Sequence, residues 1–246
     1  MRRASKAALA AFWILAVPAA EPGNCTGKLY LTLDTGSMKP AKEIQAILRK
    51  HDVLATFFIA NENTWRGDTA LSPAWAPFWK SLADEGHAFG THTWRHWYIS
   101  NEAPGQVLFV GPGKVREWLN EKQFCQELNR VGDTFQKMTG QTIRPIWRAP
   151  GGRLNPRAQQ FAKACGYEHI GWSPAGFLGD ELPSGAHPNR VLLRKALANI
   201  KDGDILMMHL GIRSRTDPFW PMLDPLLAGL KKKGFCFATI GEAARQ

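Results

Sequence analysis

The feature that most constrains this fold is the repeated alternation of short apolar runs with segments that have helical hydrophobic spacing. Lys28–Asp34 is predicted to be a buried strand, and Lys39–His51 then shows the spacing of an amphipathic helix. The same order recurs from Ala55–Ala60 to the closing run Phe235–Ile240. Strands that alternate with crossover helices are parallel, so the pattern predicts an α/β fold whose strands form one closed or nearly closed barrel.

The remaining elements follow from the same spacing and from helix-capping signals. Asn155 is a good N-cap, with Pro156 at the first helical position. Two longer stretches, Asn61–Trp75 and Trp97–Gly113, are expected to be loops on the carboxyl face that shape a substrate groove, the alternative being insertions without a functional role. The other predicted helices are Trp75–Glu85, Val115–Thr139, Asn155–Gly166, Val191–Ile200 and Pro221–Lys233, and the other predicted strands are Ile143–Trp147, His169–Trp172 and Asp204–His209.

Polar side chains suited to catalysis stand where three of the predicted strands end. Asp34 ends the first strand just before Gly36, Arg148 follows Trp147, and His209 ends a later strand. The carboxyl ends of parallel strands meet at one edge of the sheet, which is where α/β barrels place their active sites. We therefore expect these three side chains to lie close together.

Two histidines four residues apart suggest a metal site at the same edge. His92 and His96 fall on one face if their segment turns helically, and a neutral imidazole is the commonest zinc ligand in proteins. Such a pair also arises by chance in surface segments. The prediction of a metal site therefore depends on the other clusters.

Four segments, in chain order, resemble the motifs of NodB-type polysaccharide deacetylases. They are the acid of Leu31–Gly36, the histidine pair of Thr91–His96, the arginine of Trp147–Gly152 and the histidine of Asp204–His209. The NodB-type deacetylases are metal-dependent esterases of carbohydrate N-acetyl groups, and the resemblance runs from about Lys28 to Ala243. It implies a distorted (β/α) barrel of about seven parallel strands, with residues 20–246 as a single catalytic domain. It also implies a divalent cation, zinc first and cobalt or another ion as alternatives, and an N-acetylated polysaccharide or oligosaccharide substrate.

The resemblance also implies a role for each matched residue. Asp34 corresponds to the base, Arg148 to its ion-pair partner and His209 to the acid that protonates the leaving nitrogen. His92 and His96 correspond to metal ligands.

Four further residues are expected near the substrate. Pro150, Trp172 and Met207 correspond to positions around the acetyl group. Asp180 is a candidate to orient the acid, although its register differs from the family motif.

Thr35 departs from the family pattern, which has a second acid there as a metal ligand. A neutral hydroxyl is a poor ligand beside a carboxylate, so Thr35 is a doubtful ligand and weaker metal binding is expected. Glu62 and Asp68, in the loop after the second predicted strand, are the nearest spare acids.

The start of the chain is typical of a secretory signal peptide. Arg2, Arg3 and Lys6 precede the apolar run Ala7–Ala16, and small residues follow, which predicts cleavage after Ala19, with Ala20 as the near alternative. Removal of this segment leaves a net charge of about +7. An exported or periplasmic protein is expected, with no stable membrane anchor after processing and, because its cations are dispersed, no nucleic-acid partner.

Four cysteines remain after the predicted cleavage, at positions 25, 125, 165 and 236. In an oxidising compartment they suggest one or two disulfides, and four cysteines allow three full pairings. The sequence does not select among them, and free buried thiols are the alternative.

Three functions fit these residues. The first is metal-dependent N-deacetylation of an envelope or extracellular polysaccharide. The second is a carbohydrate-binding protein that kept the barrel but lost turnover with the acid replaced by Thr35. The third is a related C–N hydrolase acting on small amides, which the export signal disfavours.

Overall fold

The computed structural model describes residues 25–241, so the predicted signal peptide lies outside the described residues. Within this range no helix is both long and apolar enough to span a bilayer. The strands are β1 (Gly27–Asp34), β2 (Thr56–Ile59), β3 (Ala88–Thr91), β4 (Tyr98–Ala103), β5 (Gln106–Val110), β6 (Arg116–Leu119), β7 (Ile146–Trp147), β8 (Glu168–His169), β9 (Ile205–His209) and β10 (Phe235–Phe237). The helices are α1 (Ala41–Lys50), α2 (Ala76–Asp84), α3 (Glu121–Thr139), α4 (Pro156–Ala164), α5 (Asn189–Asn199) and α6 (Leu223–Lys232).

The described residues form a seven-stranded parallel sheet that is curled into a half-barrel. Its order is β8, β7, β3, β2 and β1, and both β9 and β10 pair with β1. β10 pairs with the start of β1 at Gly27–Leu29, whereas β9 pairs with its second half at Tyr30–Asp34. The predicted fold class, a distorted barrel of about seven parallel strands, is confirmed.

The two faces of β1 explain how the sheet presents its polar residues. Leu29, Leu31 and Leu33 are fully buried in the main core, which α1, α2, α5 and α6 cover. Thr32 and Asp34 alternate with these leucines and lie on the opposite face. This alternation directs Asp34 into the mouth of the half-barrel.

The predicted helix Val115–Thr139 is wrong in its first turns. Residues Arg116–Leu119 form a strand, and the helix begins only at Glu121, because Asn120 caps it. The Asn120 side chain accepts a hydrogen bond from the backbone N–H of Gln123, and the Gln123 side chain accepts one from the backbone N–H of Asn120. This capping box ends the strand and starts the helix.

The predicted loop Trp97–Gly113 is also wrong, because most of it is sheet. β4, β5 and β6 form a separate antiparallel sheet. Val107, Phe109 and Leu119 are buried beneath it against α3 and α4. Leu108, between Val107 and Phe109, is also buried, so β5 is an apolar run in which burial does not alternate.

Three predicted strands lose half or more of their length in the structure. Ile143–Trp147 is a strand only at its last two residues, because Pro145 has no N–H for a ladder. His169–Trp172 leaves the sheet after His169. The predicted closing strand Phe235–Ile240 stops at Phe237.

Two disulfides connect distant parts of the described chain. Cys25 pairs with Cys236, which ties the segment just before β1 to β10, and Cys125 pairs with Cys165, which ties α3 to the end of α4. Closing loops of 211 and 40 residues removes many conformations from the unfolded chain. The structure thus selects one of the three pairings that the sequence left open.

Candidate active site

Asp34 and Arg148 form a buried ion pair at the carboxyl edge of the sheet. Arg148 Nη1 donates to Asp34 Oδ1 at 2.7 Å and to the Thr32 hydroxyl at 2.9 Å. Its Nε and Nη2 atoms donate to the carbonyls of Ile170 and Gly171, which explains why the β8 segment leaves the sheet there. Burial raises the pKa of Asp34, but the charge and hydrogen bond of Arg148, together with His92 and His209, outweigh burial, and the pKa lies below its usual value. Asp34 is therefore ionised at neutral pH.

His92 follows β3 and lies directly beside Asp34. Its Nδ1 atom is 2.9 Å from the Arg148 carbonyl oxygen, which can only accept a hydrogen bond, so Nδ1 carries the proton. The Nε2 atom, 3.6 Å from Asp34 Oδ2, keeps its lone pair. Burial lowers the pKa of His92 to about 3, so the ring is neutral, which is the form that binds metals.

The histidine loop is not helical, contrary to the geometry considered from the sequence. Thr93 and His96 have φ values of 63° and 55°, in the left-handed region that residues with a Cβ seldom occupy. This turn, not helical spacing, brings the rings of His92 and His96 to a centroid separation of 4.7 Å. Strained backbone of this kind is often found at functional sites.

Arg95 anchors this loop to the rest of the protein. Its Nε atom is 2.7 Å from the Glu127 carboxylate on α3, and its Nη1 atom pairs with Glu117 on β6. The guanidinium also lies 4.3 Å from the Trp97 ring centroid. The β4–β6 sheet and α3 therefore help to hold the two histidines in place.

Glu62 is the acid that the structure brings to the second histidine. Its Oε2 atom is 3.6 Å from His96 Nδ1, and its side chain is 16% exposed. The Oε1 atom is buried and has no hydrogen-bond partner within residues 25–241.

Thr35 and Asp68, the other residues considered for the third ligand position, are engaged elsewhere. The Thr35 hydroxyl accepts a hydrogen bond from the Ala60 N–H at 3.1 Å, at the end of β2. The Asp68 carboxylate accepts from the Trp75 indole at 3.1 Å and from the hydroxyls of Thr64 and Ser72. These contacts give Asp68 a structural role in its own loop.

His209 lies opposite Asp34 in the β1–β9 register. Its Nδ1 atom is 3.1 Å from Asp180 Oδ1, and its backbone N–H donates to Asp180 Oδ2 at 2.7 Å. Burial lowers the pKa of His209, but the charge and hydrogen bond of Asp180, with smaller contributions from Asp34 and Glu181, raise it to about 9. The ring is therefore protonated at neutral pH, and Nε2 remains available on the side away from Asp180.

The predicted substrate-side residues surround the arginine loop. Pro150 is buried at the start of its single helical turn, and the Trp172 ring centroid lies 5.5 Å from the Arg148 guanidinium carbon. A Cβ on Gly152 would come within 2.7 Å of the Trp172 ring, so the loop packs closely against it. Met207 is buried opposite Thr32 and shares its face of the sheet.

Two residues near the site were missed in the sequence analysis. Thr32 accepts from Arg148 and donates to the Leu206 carbonyl at 2.6 Å, which fixes the base of the ion pair. The Tyr98 ring covers the other side of the arginine loop, where a Cβ on Gly151 would come within 2.6 Å of it. Thr32 could have been noticed as a polar residue in an otherwise apolar strand, and Tyr98 as an aromatic residue in the insertion Trp97–Gly113.

Among residues 25–241 no group of three His, Cys, Asp or Glu side chains is arranged to hold a metal ion as the side chains stand, although the residue types at the site suit a divalent cation. Two imidazoles in contact and two nearby carboxylates are the ligands that zinc prefers. The unpartnered Oε1 atom of Glu62 is the observation that favours a cation, because buried polar atoms rarely lack a partner.

An α/β half-barrel with an ionised acid, a protonated histidine and two imidazoles at its carboxyl edge defines a hydrolase-type site. A sequence model of the polysaccharide deacetylase family matches residues 23–170, more than half of the chain. The chain therefore belongs to the polysaccharide deacetylase family, whose members are hydrolases.

Two curated relatives and one solved structure illustrate this similarity. A peptidoglycan-N-acetylglucosamine deacetylase of Bacillus cereus is 27% identical over 82% of this chain and 81% of the relative. The peptidoglycan-N-acetylmuramic acid deacetylase PdaA of Bacillus subtilis is 23% identical over 89% of this chain and 73% of the relative. A CE4 family pseudoenzyme from Bacillus anthracis shares the fold, with a TM-score of 0.66 and 21% identity over 88% of this chain and 64% of that one.

Proposed function

We propose that this protein is an exported, metal-dependent deacetylase that hydrolyses acetyl groups of N-acetylated sugars in an envelope or extracellular polysaccharide. The observation that carries the proposal is the convergence of three pairs at one sheet edge: Asp34 with Arg148, His92 with His96, and His209 with Asp180. The curated relatives named above act on peptidoglycan, which supports an envelope substrate.

In this proposal His92 and His96 hold the cation together with a carboxylate. A divalent ion supplies Lewis acidity, which makes a nearby water more acidic and polarises the acetyl carbonyl. The Nδ1–H of His92 donates to the Arg148 carbonyl, and this hydrogen bond orients the ring so that Nε2 faces the site.

Asp34 accepts the proton of the attacking water in the proposed reaction. Arg148 holds the carboxylate through Oδ1 and keeps it ionised, while Oδ2 stays on the side of His92. Arg148 therefore acts as a positioning residue, because its side chain is fully buried and four of its five N–H groups donate to Asp34, Thr32 and two carbonyls.

His209 protonates the leaving nitrogen of the sugar. A pKa of about 9 keeps its proton available at neutral pH, and Asp180 fixes the ring through Nδ1 so that Nε2 is the donor. Asp34 and His209 are thus in opposite protonation states at the same pH, as a base and an acid must be. Pro150, Trp172 and Met207 shape the site around the acetyl group.

A carbohydrate-binding protein without turnover is the second candidate. Thr35 favours it, because the hydroxyl is neutral and already accepts from a backbone N–H. The Bacillus anthracis protein that shares this fold is described as a pseudoenzyme.

Acetate release separates these candidates. The metal-free protein is incubated with N-acetyl and O-acetyl glycans and with N-acetylated small amides, in the presence of zinc, cobalt or a chelator. The proposal expects release from N-acetyl glycans that the chelator abolishes and that Asp34→Asn lacks. Glycan binding without any release above the Asp34→Asn level would establish the second candidate, and release only from small amides the third.

Export is tested by the mass of the secreted or periplasmic protein. We expect the first 19 or 20 residues to be absent, because a basic start, an apolar run and small residues follow in signal-peptide order. An intact Met1 in exported material would contradict this.

A further inference from the structure

We propose that Glu62 supplies the carboxylate ligand that Thr35 does not provide, so that one cation is held by His92, His96 and Glu62. This inference rests on the proposed metal dependence. It adds a ligand from the loop after β2, whereas the two histidines lie in the loop after β3. It starts from the Glu62 side chain, which is mostly buried and forms no hydrogen bond within the described residues.

The carboxylate of Glu62 has no structural role that explains its burial. A buried carboxylate oxygen without a partner destabilises the protein, since it has lost its water and gained no hydrogen bond in return. The contact with His96 does not compensate, because 3.6 Å between Oε2 and Nδ1 is too long for a hydrogen bond. A cation beside the ring would satisfy the carboxylate and the imidazole together.

The separation of the two groups suits a shared ion. Two ligand atoms that each lie about 2.1 Å from a tetrahedral zinc are about 3.4 Å apart. The Glu62–His96 contact measures 3.6 Å, longer than a hydrogen bond and near this ligand-to-ligand distance. A pair held by a proton would be closer, at about 2.7–2.9 Å.

The backbone of the loop fixes Glu62 at this place. The Asn61 N–H donates to the Trp94 carbonyl at 2.9 Å, which joins this loop directly to the histidine loop. The Glu62 carbonyl accepts from the Ala70 N–H at 2.9 Å, and the Asn61 side chain accepts from the Leu71 N–H at 3.0 Å. Glu62 is therefore held from both sides and not placed by chance in a free loop.

The other nearby acids do not compete for this role. Asp34 Oδ1 is bound by Arg148, and the resemblance assigns Asp34 to the base. Asp68 accepts three hydrogen bonds within its own loop. Glu181, whose side chain is 45% exposed, faces His209 at 3.8 Å on the other side of the site.

Zinc titration of metal-free variants tests the proposal. Glu62→Gln keeps the size of the side chain and removes its charge, and we expect the zinc Kd to rise at least about tenfold. Glu181→Gln is the matched control, because it removes one negative charge at the same edge of the sheet and should change the Kd less than threefold. Circular dichroism and thermal melting of the metal-free proteins confirm that both variants fold.

A zinc-loaded crystal structure distinguishes a ligand from a residue that only orients His96. We expect one Glu62 oxygen at about 2.0–2.2 Å from the ion. A Glu62 oxygen that stays on His96, more than 3 Å from zinc, would overturn the inference, and so would an unchanged Kd in Glu62→Gln. Wild-type protein that binds no zinc at all would overturn the proposed metal dependence as well, so the two failures differ.

Discussion

The two carboxylates beside the histidine pair are held in opposite ways. Asp34 ends a central strand, is 2% exposed, and has its charge matched by the fully buried Arg148. Glu62 lies on a loop, faces His96 without a hydrogen bond, and keeps one buried oxygen without a partner in the described part of the chain. The first carboxylate has its charge matched within the protein, whereas the second leaves one buried oxygen without a hydrogen bond.

This difference separates a catalytic carboxylate from a ligand carboxylate. A base must keep its charge and position throughout the reaction, which the Asp34–Arg148 pair provides. A ligand needs free lone pairs, which Glu62 has retained. The variants below test whether this division between the strand end and the loop is correct.

The largest effect is expected for Asp34→Asn. Loss of the base should lower turnover of an N-acetyl glycan about 10²–10⁴-fold, because an amide cannot accept the proton of the attacking water. Acetate release at saturating zinc measures it. Turnover near the wild-type level would show that another group is the base.

The same variant also distinguishes the two carboxylates by stability. Asp34→Asn leaves the buried Arg148 charge without its counterion and should lower the free energy of unfolding by about 3–5 kcal/mol. Glu62→Gln should not destabilise the metal-free protein, because no contact is lost. Urea unfolding without metal measures both, and equal losses would show that Glu62 has a structural partner.

The second-largest effect is expected on zinc binding by variants of the histidine pair. His92→Ala and His96→Ala should each raise the zinc Kd more than about 100-fold, since even changes to outer-shell partners of metal ligands cost about 10–100-fold. His51→Ala, which removes an imidazole paired with Asp224 at the C-terminal end of α1, is the control. Metal content after dialysis is the measurement, and zinc retained by both variants would make the pair structural.

The sequence predicts the strand-end part of the site better than the loop part. Asp34, Arg148 and His209 follow apolar strands, and parallel strands bring their carboxyl ends to one edge, so their proximity could be predicted. Glu62 could only be named as a spare acid, because its position depends on the long-range bond between Asn61 and Trp94.

The difference between local and long-range signals also explains the errors in the predicted fold. The β4–β6 sheet was missed because its strands pair only with each other, and Arg116–Leu119 was absorbed into the following helix. The Asn120 capping box was a readable local signal. The disulfide pairing was not, because it joins residues 211 and 40 positions apart.

A smaller effect is expected for Thr35→Asp, measured in two backgrounds. If Glu62 occupies the position of the missing acid, the new carboxylate should tighten zinc binding about tenfold in Glu62→Gln and less in the wild type, because ligands of one ion are not additive. Zinc titrations of the four proteins at matched pH complete the cycle. Equal gains in both backgrounds would mean that positions 35 and 62 do not share an ion.

The smallest effect at neutral pH is expected for Asp180→Asn, which acts through His209. Asp180 is the main cause of the raised pKa of about 9, so its replacement should return the pKa toward 6.5. The alkaline limb of kcat/KM should then move to lower pH, with turnover little changed at pH 6 and reduced by up to about 30-fold at pH 8, where the ring has lost its proton. Glu181→Gln, which removes a weaker contributor, should shift the limb less.

The stability of the same variant provides a second readout with its own sign. A histidine whose pKa is raised in the folded state stabilises the protein fully below pH 6.5, and this contribution disappears as the pH rises through about 9. Asp180→Asn should therefore lower the free energy of unfolding more at pH 6 than at pH 10. An unshifted pH profile with an equal loss of stability at both pH values would mean that Asp180 supports only the backbone of β9, through its bond to the His209 N–H, and does not tune the acid.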